Sequence, residues 1–146
     1  MTIPRPTLAA PRLRPGARPW LFWAGAAALA ATIFVLSSMS APDLRPPELW
    51  RYDKLVHASV WTALAALLAA GGAARGWRRA VAVAVAVALA VAWGALDELH
   101  QSTVPHRDAS WGDLLADTIG ACLGATIATS RPLAWLVYGR GHGDRP

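Results

Sequence analysis

Cysteine, phenylalanine, tyrosine and charge are all scarce in this 146-residue chain. The single cysteine, Cys122, excludes an internal disulfide; in an apolar stretch it is expected to serve as a small packing residue. Only 16% of the residues are charged, against roughly 25% in an average soluble domain. That shortage, with 55% hydrophobic residues, argues against an Ala-rich soluble bundle. Its apolar runs lack the polar face that a soluble helix shows every three or four residues. Against two Phe and two Tyr stand eight Trp, the residue that favours membrane–water interfaces. The net charge of +5 could suggest nucleic acid, yet the basic residues flank the apolar runs and no RNA- or DNA-binding motif lies between them. No nucleic-acid partner is expected.

Residues 1–19 hold Arg5, Arg12, Arg14 and Arg18, five prolines and no acid, and read as a disordered basic tail. Four apolar runs follow, over residues 20–36 (extendable through Ser37–Ser40), Leu55–Ala74, Ala80–Leu96 and Trp111–Thr129. A spanning helix needs about 20 such residues. Pro42, Pro46 and Pro47 exclude a regular helix between the first two runs, and Asp53 stands where an N-cap would. The third run alternates Val and Ala, but both phases are apolar, so it does not read as a half-buried strand. Residues 131–146, with His142, form a short basic tail.

The expected fold class is therefore all-α: a four-helix transmembrane bundle over residues 20–130, with N- and C-termini cytoplasmic. Orientation rests on the positive-inside rule. With the N-terminus inside, the inner segments hold ten basic residues, including Arg75, Arg78 and Arg79, and the outer ones four: Arg45, Arg51, Lys54 and Arg107. The expected location is the cell (plasma) membrane, multi-pass, with membrane lipids as partners and the oligomeric state open. A cleaved leader ending near Ser38–Ala41 competes, but the first apolar run is longer than a usual leader core.

This topology puts two polar clusters on the outer face. Asp53, His57 and Trp61 stack on one side of the second run, with Lys54 beside them. Asp97 and Gln101 stand four apart at the end of the third, with His100 one turn from Asp97, while for Glu98 both the cluster and water are open. Ser110, Asp113 and Asp117 share one face of the fourth, where Ser110 can cap the helix start. Asp117 is the deepest charge; unpaired, it would cost ~2.5–3.5 kcal/mol on insertion scales, so Lys54, Arg107 or His57 is expected to partner it. Lys54, Arg107 and Asp113 are expected within mutual reach. His106 and Asp108 sit on the loop crest and are expected to be solvated. Gly120 and Gly124 form a small-x-x-x-small pair for close helix approach.

The series Asp53-Lys54-x-x-His57, Asp97-Glu98-x-x-Gln101-x-x-x-Pro105-x-Arg107-x-x-Ser110-x-x-Asp113, then Gly120 and Gly124, resembles the VanZ-like family of small bacterial membrane proteins. The resemblance covers about residues 50–128 and implies a four-span membrane protein, with a role in low-level resistance to glycopeptides of the teicoplanin type. The chain departs from the family at four places. Trp61 stands where Tyr is frequent, Asp117 where Asn is frequent, no aromatic lies near Thr103, and His106 replaces a Gly before Arg107.

Three functions fit these residues. In the first, an outer pocket of Lys54, His57, Asp97, Gln101, Arg107, Ser110, Asp113 and Asp117 binds a lipid-linked cell-wall precursor or other envelope head group. Arg107 and Lys54 would take a phosphate or carboxylate. In the second, a membrane hydrolase or transferase uses His57 or His100 as general base, oriented by Asp97 or Asp113. The third is a proton or solute pathway through His57 and Asp117, disfavoured by four short spans without an internal repeat. Asp97, Glu98, His100 and Asp113 could hold a metal, but no HExxH or comparable spacing appears; no metal and no cofactor is expected.

Overall fold

In a computed structural model, which describes residues 18–39 and 52–130, the described residues form four α-helices. They are α1 (Trp20–Ser37), α2 (Asp53–Ala74), α3 (Arg79–Gln101) and α4 (Trp111–Ala128). Their directions alternate. The start of α1 lies beside the α2–α3 turn, where the Arg75 guanidinium sits 4.7 Å over the Trp23 ring. Its far end meets the end of α3, where Ser37 Oγ donates to Asp97 Oδ1 at 2.5 Å. Lys54 and Asp113 pair at the starts of α2 and α4, and Arg79 Nε reaches Thr129 Oγ1 at the other end of α4. One end of the bundle is thus basic, with Arg75, Arg78 and Arg79. The other gathers the acids.

Helices α1, α2 and α3 are long and apolar enough to cross a membrane. Helix α4 is not among them. The reason is geometric. Mean hydropathy averages both faces of a helix, and α4 turns Asp113 and Asp117 into the bundle while exposing Leu115, Ile119, Leu123 and Ile127. That four-residue spacing is one continuous outward stripe.

Small residues set the packing. Gly120 and Gly124 of α4 lie directly against the backbone of Ala58 and Thr62 in α2. Thr62 Oγ1 donates to Gly120 O at 3.0 Å, so the close approach also closes an interhelical hydrogen bond. The buried core is built around Leu64, Ala65, Ala69, Ala86, Ala90, Ala121 and Ala125, with Trp61 as its one large ring. Trp61 Nε1 donates to Ala90 O at 3.0 Å, satisfying the indole inside an apolar bundle.

Two local expectations change. Helix α2 starts at Asp53 itself, with Tyr52 in the cap position, so Asp53 places its charge in the first turn. Cys122 is exposed and not a core packing residue. The basic tail at residues 1–17, the proline-containing segment 40–51 with Arg45 and Arg51, and the tail 131–146 lie outside the described residues.

The α3–α4 loop passes through His106 at φ 62°, the left-handed region where a Cβ is disfavoured. A glycine there would fit this backbone without strain. His106→Gly is therefore expected to leave the fold intact and stabilise it by up to ~1 kcal/mol, the relieved strain offset partly by greater freedom of the unfolded chain. Equilibrium unfolding in mixed micelles measures this, and a destabilisation beyond 1 kcal/mol would contradict it.

Candidate functional site

The polar end is assembled by hydrogen bonds between helices. At the start of α4, Ser110 caps the helix: its Oγ accepts from Asp113 N at 3.3 Å. The Ser110 backbone N–H donates to Glu98 Oε2 at 2.6 Å, tying the end of α3 to the start of α4. Lys54 of α2 donates to Asp113 and, at 3.3 Å, to Ser110 Oγ. One turn deeper, His57 Nδ1 and Asp117 Oδ1 stand 2.9 Å apart. Asp117 is 0% exposed, and His57 stacks on Trp61 with ring centroids 5.6 Å apart. On the α1 side, Asp97 accepts from Ser37 and, at 2.7 Å, from Gln101 Nε2.

Of the expected partners for Asp117, the structure therefore supplies His57. Lys54 serves Asp113 instead, at the mouth. Arg107 goes elsewhere: its Nε donates to Met39 O and its Nη2 to Leu36 O, each at 3.1 Å. A guanidinium on carbonyls at the end of α1 complements the negative end of that helix. The expected triple of Lys54, Arg107 and Asp113 thus reduces to a Lys54–Asp113 pair. His100 also faces α1, with Nε2 2.9 Å from Ser38 Oγ and its ring stacked on Phe34.

Two placements were not settled by the spacing. Glu98, for which the cluster and water were both open, is buried against α4. Ser37 is buried and bound to Asp97, although nothing distinguishes it from the neighbouring Ser38 in an apolar run.

Chemically, the site has two levels. Lys54, with a side chain 54% exposed, offers an ammonium at the rim beside the Ser110 hydroxyl. Below it lies a buried imidazole–carboxylate pair, with Glu98 nearby. His57, Glu98 and Asp117 each present a ligand atom within 4.8 Å of the others, as do Asp53, His57 and Asp113.

Trp61 spans to the α3 backbone, and Asp117 gives the imidazole a carboxylate partner. A family model described as VanZ/LLP1 matches residues 20–135, a range that takes in all four helices and every side chain of the polar end. No curated protein and no solved structure matches the chain. With four alternating helices holding that motif together at one end, and a family match over most of its length, this chain belongs to the VanZ/LLP1 family.

Proposed function

We propose that this chain is a multi-pass plasma-membrane protein whose polar end opens away from the cytoplasm and binds the anionic head group of a lipid-linked or other cell-envelope ligand. The observation that carries this reading is the set of buried polar side chains, Ser37, His57, Asp97, Glu98, Gln101, Asp113 and Asp117, drawn to one end of an otherwise apolar bundle. Ionisable groups at membrane depth are costly and mark sites. Lys54 stands at the mouth, held by Asp113 and Ser110. An ammonium has three donors, so one is left for a phosphate or carboxylate oxygen. Arg107, committed to α1, is not needed for that contact.

The orientation is supported by Arg75, Arg78 and Arg79 at the opposite end, as cytoplasmic loops favour. Helix α4 counts as a fourth span in this proposal. Its 18 residues reach roughly 27 Å, near the thickness of a hydrocarbon core. Its exposed Leu115–Ile127 stripe would face lipid, and Trp111, 87% exposed, would lie at the interface. With an even number of spans, both termini lie in the cytoplasm.

Two measurements test the reading. In a Cys122→Ala background, Ser102→Cys should react with an impermeant thiol reagent in intact cells, and Gly76→Cys should not; the reverse pattern inverts the topology. Lipids co-purifying with detergent-extracted protein, identified by mass spectrometry, should include a phosphate-bearing species that Lys54→Gln loses. The half-exposed Lys54 pair adds only ~1 kcal/mol or less to stability, so this variant is expected to stay folded. Retention of the same lipids by Lys54→Gln removes Lys54 from the site. If the site bears on glycopeptide resistance, cells carrying the wild-type chain should tolerate more teicoplanin than cells carrying Lys54→Gln; equal tolerance withdraws that role.

A further inference from the structure

Four carboxylates are buried at the polar end: Asp97, Glu98, Asp113 and Asp117. Lys54 pairs with Asp113, and the His57 imidazole faces Asp117. Asp97 is satisfied by two neutral donors, the Ser37 hydroxyl and the Gln101 amide. Glu98 uses Oε2 on the Ser110 N–H. That leaves two carboxylate oxygens, Glu98 Oε1 and Asp117 Oδ2, inaccessible and without a hydrogen-bond partner among the described residues. An ionised oxygen in that position forfeits its full hydration, so each of the two calls for a positive partner.

Both belong to residues that converge with His57. Three helices contribute one side chain each, all three are buried, and one ligand atom from each lies within 4.8 Å of the others. We infer that His57, Glu98 and Asp117 form a binding site for a divalent transition-metal cation. The 2.9 Å separation of His57 Nδ1 and Asp117 Oδ1 suits two neighbouring ligands on one ion, since metal–ligand bonds of ~2.1 Å at right angles put donors ~3 Å apart. One imidazole with two carboxylates favours Zn²⁺ or Mn²⁺ over Ca²⁺ and Mg²⁺, which take oxygen alone. The overlapping set of Asp53, His57 and Asp113 is the weaker choice, because Lys54 already neutralises Asp113.

Gly94 shapes the site from α3. A Cβ there would stand 2.9 Å from Asp117 Oδ2 and 3.0 Å from Trp61 Nε1, so the bare backbone is what gives the carboxylate its place. Three protein ligands leave further coordination positions for an outside oxygen, such as that of a phosphate. The inference stands apart from the head-group proposal, because it concerns the cation alone.

Zn²⁺ titrated by calorimetry into the full chain, purified in detergent and stripped with a chelator, tests it. One Zn²⁺ per chain is expected, with a rise in thermal unfolding temperature. Glu98→Gln and Asp117→Asn should each weaken binding at least about tenfold, whereas Asp97→Asn, a buried acid with its own partners, should bind as wild type does. Absence of stoichiometric Zn²⁺ on the wild type overturns the inference, as does binding that survives both ligand variants. Should those variants fail to fold, zinc-edge X-ray absorption of the wild-type complex decides: imidazole nitrogen with carboxylate oxygen supports the site, and a sulfur ligand or solvent oxygen alone overturns it. A failed titration leaves the Lys54 lipid test unaffected.

Discussion

His57→Ala is expected to lower stability by about 3–5 kcal/mol, the range for stripping one partner from a buried ion pair. Asp117 would lose its partner while remaining 0% exposed, with the buried Glu98 carboxylate beside it. The stacking of His57 on Trp61 would go with it. Asp117→Asn is expected to be far milder, under about 1.5 kcal/mol, because an amide keeps the shape and one hydrogen bond to the imidazole without a charge to strand. Combining the two should recover part of the His57→Ala loss. Equilibrium unfolding in SDS mixed micelles reads all three. A cost below ~1 kcal/mol for His57→Ala would show that the pair does not hold α2 to α4.

Gly120→Val and Gly124→Val are the second large effects. A Cβ at Gly120 would overlap the Ala58 carbonyl, with the Ala58 Cα only 2.9 Å away, and one at Gly124 meets Thr62 in the same way. These are backbone atoms, so no rotamer change relieves the clash. Helices α2 and α4 must part, opening the Thr62–Gly120 hydrogen bond and the alanine core beside it. Each valine is expected to cost about 3 kcal/mol or more, at or beyond the upper end for overpacking. Gly25→Ala is the contrast: its Cβ would meet only Leu67 at 3.7 Å, an ordinary contact. Replacing that helical glycine should be neutral or stabilise by up to ~1 kcal/mol. Losses of similar size at Gly25 and Gly120 would refute the close-approach argument.

The four helices were legible because apolar runs of about the right length leave few alternatives, and prolines and arginines mark where they stop. The Ser110 cap was legible because its hydroxyl sits three residues before Asp113, a spacing that local geometry alone decides. Arg107 was misplaced for the opposite reason. Asp108 and Asp113 lie within a few residues of it, and a positive charge near acids suggests pairing, yet the carbonyls of Leu36 and Met39 lie within reach once α1 packs beside the loop. Glu98 was left with two alternatives because one residue of rotation on a helix separates water from the interior, and only the seating of α3 on α4 decides which.

Hydrophobic length, helical spacing and the distribution of arginine determined that this chain is a bundle of apolar helices with its acids toward one end. Those properties are local, so the sequence states them directly. Which acid meets which base was decided by the tertiary structure alone. Gly120 and Gly124 set the distance between α2 and α4, and that distance brings His57 to Asp117 and leaves Glu98 facing both. Pairings across some 60 residues of chain depend on how closely two backbones can approach, and no single stretch of sequence carries that information.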